Sequence, residues 1–585
     1  MSVAANPVPP RAKARFVFGL AIASGLLLYA AFTIPWLSWL LFFALAPFAL
    51  LVRLRARLVV LYSAALAGGL AFYFPGLFWI GLCAPAEWQA WLARTLLSTY
   101  CALYFPFALL VARLLNRRLG VPVLIALPIA WVTGEYLRMT LMSGFGWLMI
   151  AHGAYEWALT IQIADFAGAY GVSFLLVMVN ALFVELLTQP LLLQTPKGLK
   201  FDPTGALKWR IAATIAALLG TWTYGWARTR NPDFRPGPTV LIAQSAIPQS
   251  VRDFLQDDAL RRLIEQLDAA VERGEIKGAD LVLWPETSFK GFAGEADPTV
   301  ADNELERLYW RRAFPGGLTD EQKQVNSAAL IRENFERSKA LLHRLANQYG
   351  APLAVGINRH VFKPGNYANY NSMILVTPEQ GEVAVYNKIH LVPFGEYLPL
   401  ENQVPLLRYL MPYPDDVQFG LDRGVDFAPI HHGTLCFAPL ICFEDTTPYV
   451  PRAMVRNADP KRPVDFLVNQ SNDGWFPNSR EPEYHLANAV FRCVECRKPM
   501  VRGTNLGVSA LIDANGRVVR RLPPADEGTL RVQVPLDDRS TLYLAWGDWL
   551  PLACAAFTLA ALATILWDVV RLVRARLARS ATLST

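Results

Sequence analysis

Three short stretches of the chain hold side chains suited to covalent, nucleophilic chemistry. The first is Leu435-Cys436-Phe437-Ala438-Pro439-Leu440-Ile441, an apolar run of strand length that leads straight into Cys442-Phe443-Glu444-Asp445. A cysteine at the exit of a buried strand sits on a tight turn with its sulfur exposed, as a nucleophile needs. Thiolate is the reactive form, so a neighbouring group must take the proton or stabilise the anion. Taken alone, Cys442 reads more readily as an inert packing residue, as most lone cysteines are. The other six cysteines offer less. Cys83, Cys101 and Cys554 lie in or beside long apolar runs, and Cys436 is mid-strand. Cys493 and Cys496 form a CxxC on a helical pattern, with no second pair to complete a zinc site.

The second stretch is Leu283-Trp284-Pro285-Glu286-Thr287-Ser288, where the buried strand pattern 280–284 ends at Pro285-Glu286. Strand ends in α/β folds point side chains into the functional crevice. A carboxylate beside Trp and Pro is partly desolvated, which suits a general base; a turn or helix-cap glutamate is the plainer reading. The third stretch runs from Tyr386 to Tyr397 as YNKIHLVPFGEY. Lys388 there offers a fixed positive charge for an oxyanion and for a thiolate, or is a surface lysine near a turn. A Cys-His hydrolase using His390, His432 or His485 stays open on residue types alone. Neither a phosphate-binding GxxxxGK[ST] loop nor a dinucleotide glycine fingerprint occurs, so no cofactor is expected, and no metal.

The elements that must position these residues follow from composition. The chain has 585 residues, of which 53% are hydrophobic and only 18% charged, with a mean hydropathy of +0.26. An ordinary globular chain is about 25% charged, so one soluble enzyme, a disordered scaffold and a nucleic-acid binder are all excluded. Seven cysteines are too few for a disulfide scaffold. Apolar runs fill about 16–34, 36–52, 58–82, 92–112, 121–141, 171–194, 210–227 and 549–570, each close to the ~20 residues that cross a bilayer as a helix. The second is short, and the sixth contains Gln189-Pro190. The sequence thus divides into a membrane domain of seven spans (1–228), a soluble domain (229–548), and a final span with a basic tail (549–585).

Basic residues set the orientation. Arg11, Lys13 and Arg15 precede the first span; Arg53, Arg55 and Arg57 follow the second; Arg113, Arg117 and Arg118 follow the fourth. Lys197, Lys200, Lys208 and Arg210 follow the sixth, and Arg571, Arg574, Arg576 and Arg579 close the chain. With eight spans all fall on one side, while 83–91 and 142–157 carry no Lys or Arg. Both termini are then cytoplasmic and the soluble domain lies outside. The net charge of +7 reads as a topology signal. The amino-terminal apolar run continues into a second span without a persuasive cleavage site, so it reads as a retained anchor. Glu135 and Arg138, three apart on the fifth span, either neutralise each other or line a polar outer mouth near Ser143-Gly144-Phe145-Gly146-Trp147.

In the soluble part a Pro-rich linker (228–238) precedes strand patterns at 239–244, 280–284, 353–357, 371–377, 382–387, 434–441, 465–469, 500–503 and 507–513. Helix patterns cover 257–273, 327–349 and 482–497, and hairpin-like pairs fall around 371–387 and 507–521. This alternation indicates an α/β domain with packed sheets. The charged stretch 291–325 reads as an insertion, a lid or a disordered segment.

The three reactive segments together resemble the nitrilase superfamily, and with the membrane spans the chain resembles the apolipoprotein N-acyltransferases. The motifs are WPETS (284–288), YNKIHLVPFGEYLP (386–399), ICFED (441–445), NDGWF (472–476) and TNLGVS (504–509), with EYLR (135–138) and GFGWL (144–148) in the membrane half. YNKxHLVPFGE is the most specific, and the resemblance spans nearly the whole chain. It implies an α-β-β-α sandwich carrying a Glu-Lys-Cys triad of Glu286, Lys388 and Cys442. By that resemblance Glu286 is the general base and Cys442 takes an acyl group from a membrane phospholipid as a thioester. Lys388 and the Phe443 backbone N–H stabilise the oxyanion. The acceptor is the α-amino group of an S-diacylglyceryl cysteine that begins an apolipoprotein. Glu396 and Glu444 would support the triad, while Trp475, Tyr386, Tyr397 and Trp147 are candidates for substrate contact or a cover. The resemblance further implies the bacterial inner membrane, with a monomer as the expected state. Three departures touch acyl or acceptor preference: Phe443 in place of a tyrosine, no tryptophan after IPQS (247–250), and the long 291–325 insertion. The competing readings are a membrane-tethered amidase that uses water, and a transporter with an external domain. The latter would show paired broken helices or internal pseudo-symmetry, which the sequence lacks.

Overall fold

The computed structural model describes residues 11–83, 87–189, 192–195, 198–201, 204–230, 233–248, 256–313, 319–400, 403–404 and 420–582. Pro190, Lys197 and residues 249–253, the end of IPQS and the three residues after it, fall outside the described residues. The chain divides into two compact units, Met1–Phe78 with Arg94–Ala227 and Asp548–Thr585, and Trp79–Ala93 with Arg228–Gly547.

The first unit is helical. Where the sequence suggests eight spans, five stretches among the described residues are long and apolar enough to cross a membrane: Ala14–Thr33, Leu58–Gly76, Trp88–Arg118, Ile161–Thr188 and Trp549–Asp568. Two more helices stand at expected places but carry charges, Val123–Thr140 with Glu135 and Arg138, and Gly205–Thr229 with Lys208, Arg210 and Arg228. The run 36–52 is not one helix. It breaks into a 3-10 segment, Pro35–Phe42, and a short helix, Ala46–Leu50. The sixth span ends at Thr188, two residues before a proline that cannot continue a helix.

The second unit is built on strands Arg235–Gln244 (β1), Leu281–Leu283 (β2), Phe289–Ala296 (β3), Leu353–Lys363 (β4), Asn366–Thr377 (β5) and Gly381–Asn387 (β6). It continues with Ile430–His432 (β7), Leu435–Ile441 (β8), Phe466–Ser471 (β9), Met500–Thr504 (β10), Ser509–Ile512 (β11), Val518–Leu522 (β12) and Gly528–Leu536 (β13). One sheet runs β13-β1-β2-β4-β5-β6, with β3 also on β4; the other runs β12-β11-β10-β9-β8-β7. β1, β2 and β4 are mutually parallel, as are β8, β9 and β10. All seven residues of β8 are buried, which is why its sequence is a continuous apolar run instead of an alternating one.

Amphipathic helices Gln256–Glu272 and Ala328–Tyr349 lay Leu263, Leu267, Leu342 and Leu345 on Leu241, Val282 and Val355 of the first sheet. Helices Tyr449–Asn457 and Glu481–Cys496 accompany the second sheet. The sheets meet face to face, and the buried Gln470 amide on β9 donates across to the Trp284 and Ala354 carbonyls at 2.8 and 3.0 Å. Those contacts satisfy backbone groups that would be costly to leave unpaired between two sheets.

Two expectations change. The linker is shorter, because β1 already starts at Arg235 and pairs with β13 as far as Leu536. The charged 291–325 stretch is folded where described. It contributes the end of β3 and helices Asp302–Ala313 and Asp320–Val325. Val300 and Leu305 join Ile331, Phe335, Phe362 and Tyr367 in a small core of their own. Its charges lie on helix faces around a few apolar anchors, a pattern diluted by the surrounding polar residues.

Candidate active site

Glu286 stands where the first sheet changes strands. β2 stops at Leu283, Trp284 is fully buried, and the chain turns through 285–288 before rejoining β4 as β3. The turn lies directly on Gly356 of β4, where a Cβ would come within 2.4 Å of the Pro285 oxygen and 2.7 Å of Glu286 Cα. Only glycine permits that approach, so Gly356 fixes the position of Glu286. The sequence reading passed over Gly356, whose one visible sign is a glycine inside a strand.

Lys388 follows β6 and is clamped by its own backbone. Its N–H donates to the Asn371 carbonyl at 2.8 Å, and its carbonyl accepts from Gly424 N at 2.8 Å. The side chain is wholly buried, with Nζ 2.7 Å from Glu396 Oε1 and 3.5 Å from Glu286 Oε1. The Asn371 amide donates to the same two carboxylates, at 2.6 Å to Glu286 and 3.2 Å to Glu396. Glu396 also accepts from Val392 N at 2.8 Å. Burial would push the Lys388 ammonium down, but Glu396, Glu286 and Cys442 outweigh it and hold it above the usual lysine range. It is a cation at any working pH.

Cys442 leaves β8 with φ +50° and is half-buried. A non-glycine residue in that region is strained and is tolerated where the surroundings impose it. Its carbonyl oxygen accepts from Asn469 Nδ2 at 3.2 Å and from His485 Nε2 at 3.3 Å. Burial pushes the thiol well above its ordinary range, and the Glu286 charge adds to this while Lys388 opposes it. The resting sulfur is therefore protonated and needs a base.

Glu444 is buried and joins the cysteine strand to the lysine loop. It accepts from Ile441 N (2.7 Å), Ile389 N (2.7 Å), His390 N (3.0 Å) and the Tyr386 hydroxyl (2.8 Å). Burial lifts its carboxyl to about 7, against the pull of the backbone donors from His390 and Ile441. Tyr386 departs from the expected cover role, being buried with its hydroxyl committed to Glu444. Phe443 is buried with its ring stacked on His390, centroids 5.5 Å apart. Tyr397 is half-buried under the Arg423 guanidinium, 4.4 Å from the ring centre. Trp475 is half-buried in the turn Asp473–Trp475, and its neighbour Phe476 meets Trp79 edge-on at 4.7 Å.

Trp147 belongs to the first unit, where it is buried and its carbonyl accepts from Arg138. Glu135 in turn accepts from Ile150 N at 2.9 Å. These two charged residues pin the 145–150 loop to their helix, a third outcome beside mutual pairing and an open polar mouth.

Behind Cys442 lies a buried ionic group of which the sequence singled out only His485 as a candidate, Asp445 and Asp473 standing unremarked inside the ICFED and NDGWF motifs. Arg502 on β10 reaches Asp445 at 2.5 Å and Asp473 at 3.1 Å; His485 lies 2.8 Å from Asp445 and 3.1 Å from Asp473. Burial and Arg502 push the His485 imidazole down, but the two aspartates prevail and bring it to about 10. Burial opposes ionisation of Asp473 as well, yet His485 and Arg502 hold it below the usual carboxylate range. Asp473, Glu481 and His485 bring ligand atoms within 4.8 Å of one another. Burial and the Asp473 charge push the Glu481 carboxyl well above its ordinary range, so it stays protonated, and Arg502 and His485 offset the two remaining carboxylates, Asp445 and Asp473. Cys493 and Cys496 are buried on their helix.

The comparisons with known proteins agree across both units. The family model described as the apolipoprotein N-acyltransferase N-terminal domain matches residues 24–182, and that for carbon-nitrogen hydrolases matches residues 241–542, just over half of the chain. A curated apolipoprotein N-acyltransferase of Sinorhizobium fredii is 30% identical over 512 residues, covering 85% of this chain and 83% of that one. The chain belongs to the apolipoprotein N-acyltransferase family. Relatives of the same name from Geobacter metallireducens (29% over 550 residues, 92% and 93% covered) and Rhodopirellula baltica (26% over 530 residues, 86% and 89% covered) extend the match. The second unit is thus a nitrilase-like α/β domain, as the motifs imply, and the Glu286 turn, the Lys388 loop and the Cys442 elbow all lie within its matched span.

Proposed function

We propose that the enzyme moves a fatty acyl chain from a membrane phospholipid, through a thioester on Cys442, to the α-amino group of the S-diacylglyceryl cysteine that begins an apolipoprotein. The observation that carries this reading is the buried Lys388 ammonium set between Glu286 and Glu396, in electrostatic reach of a Cys442 thiol that burial keeps protonated.

Glu286 takes the Cys442 proton as the sulfur attacks the ester carbonyl. Negative charge develops on the carbonyl oxygen, and Lys388 and the Phe443 N–H stabilise it where water is excluded. As the C–O bond breaks, Glu286 returns the proton to the departing lysophospholipid oxygen. The acceptor amine then attacks the thioester, Glu286 receives its proton, and the proton passes to sulfur as the C–S bond breaks and the amide forms. Two half-reactions through one covalent intermediate make the order ping-pong. Glu396 and Asn371 hold Lys388 and Glu286 in place, and Glu444 fixes the elbow.

Both substrates carry long acyl chains, and moving these into water would cost about 0.8 kcal/mol per methylene. The apolar helices fit an enzyme that stays in the bilayer. The basic residues of the connections support an inner-membrane protein with cytoplasmic termini and an extracytoplasmic catalytic domain; a monomer that acts without nucleic acid completes the reading. Water as acceptor would give an amidase of the same triad, and mass spectrometry of the intact enzyme separates the two. Incubation with phospholipid should add one acyl mass on Cys442, which a diacylglyceryl peptide then removes as its amide. Loss of the adduct only to free fatty acid would refute acyl transfer to an amine.

A further inference from the structure

The oxygen of Cys442 and the N–H of Phe443 belong to one peptide group. Such a group is planar and trans, so its carbonyl and its N–H point to opposite sides of one rigid plate. Whatever holds the oxygen therefore aims the N–H. Two side chains from outside the triad hold it, Asn469 Nδ2 at 3.2 Å and His485 Nε2 at 3.3 Å. We infer that Asn469 and His485 are positioning residues which, by fixing the Cys442 carbonyl, direct the Phe443 N–H at the oxyanion of the tetrahedral intermediate. The inference rests on the acyl-transfer reading above and assigns this chain a second layer behind the nucleophile.

Both donors are themselves held. Asn469 sits fully buried on β9, and its Oδ1 accepts from Arg502 Nη1 at 3.4 Å, which leaves its amide N–H free to face Cys442. His485 is buried on helix Glu481–Cys496, with Nδ1 3.1 Å from Asp473 and 3.5 Å from Glu481, and Nε2 2.8 Å from Asp445. The charged ring carries a proton on each nitrogen, and the single N–H of Nε2 is directed at the Cys442 oxygen, while Asp445 Oδ1, close as it is, receives no hydrogen bond among the described residues and acts on the ring by its charge. Ser471 donates to the same Asp473 oxygen at 2.6 Å, and Arg502 closes the group on Asp445 and Asp473. The φ of +50° at Cys442 is a conformation the chain would leave if its carbonyl were released. An electroneutral ion group that ends on that one carbonyl supplies the restraint.

The test separates attack on a carbonyl from attack on a saturated carbon. Thioester formation passes through an oxyanion, whereas alkylation of Cys442 by iodoacetamide does not. In His485→Ala, acylation by phospholipid and by a p-nitrophenyl ester should both slow about tenfold to a hundredfold at saturation. KM should change less than about threefold and the alkylation rate less than about twofold. His485→Gln, whose amide can still donate, should recover part of the loss. Asn469→Asp, of the same shape but an acceptor facing the carbonyl, should reproduce the defect, and it serves if His485→Ala fails to fold. Unchanged acylation in the variants, or alkylation that falls in step with acylation, would overturn the inference. A wild-type enzyme acylated by the p-nitrophenyl ester but never by phospholipid would refute the substrate assignment while leaving this geometry to be judged on the activated ester.

Discussion

Replacing Lys388 with methionine keeps most of the stem and deletes the ammonium. Nζ lies 2.7 Å from Glu396 and 3.5 Å from Glu286, so at an effective dielectric of ~20 the two attractions are roughly 6 and 5 kcal/mol. Desolvation of three buried ions offsets most of that sum, and the measured cost of orphaning a buried charge is about 3–5 kcal/mol. In the variant, Glu286 and Glu396 still converge on the Asn371 amide at 2.6 and 3.2 Å, now without a cation between them. Without the ammonium the two carboxylates repel each other, which disturbs the placement of the base at the same stroke as the oxyanion loses its partner. Loss of one such electrostatic contact slows chemistry by about 10²–10³. Single-turnover acylation, quenched and read as the thioester mass on Cys442, should therefore fall by at least that factor at pH 7. Thermal melting in detergent verifies that the variant folds. A methionine variant that acylates within about fivefold of wild type at pH 7 would refute the role given to Lys388.

Glu286→Gln keeps the shape and should slow thioester formation by about 10²–10⁴, the usual worth of a general base, while leaving the melting temperature within a few degrees; wild-type acylation would remove it as the base. Gly356→Ala sets a methyl against Pro285 and Glu286 and should lower acylation with a smaller effect on phospholipid KM, read in the same assay. Tyr386→Phe removes the hydroxyl donor to buried Glu444, so a loss of about 1–3 kcal/mol should appear as a lower melting temperature, and an unchanged melt would show that Glu444 is satisfied by backbone donors alone. His485, brought to about 10 in the fold, is above its ordinary value, so its contribution to stability is complete below about pH 6.5 and fades as the pH rises through 10. The wild-type melting temperature should decline over that window, and His485→Gln should flatten the decline.

Much of the strand and helix order was legible because local patterns announced it. The β8 run is unbroken apolar sequence, and the helices at 256–272, 328–349 and 481–496 carry apolar periodicities, both of them signals local to the chain. Strand β13 escaped because its burial alternates along GTLRVQVPL, so half its residues look like surface. The run 36–52 misled because composition reports apolarity and says nothing of a break after Phe42. Within the site, the residue types of Glu286, Lys388 and Cys442 were visible, but Asn371, Asn469 and Arg502 lie on strands whose sequences give no sign of catalysis.

By itself the sequence determined the apolar runs, the charge asymmetry of their connections and the identity of an acid, an amine and a thiol separated by about a hundred and by fifty residues. Those are properties of side-chain chemistry and local spacing, which need no folding to be read. Only the tertiary structure decided that Lys388 stands between two carboxylates and that Glu444 ties the elbow to the lysine loop. It alone decided, too, that His485 reaches the cysteine backbone from 43 residues away. Distances between such groups are set by how two sheets pack and by where a glycine lets the chain approach, and no local pattern records either.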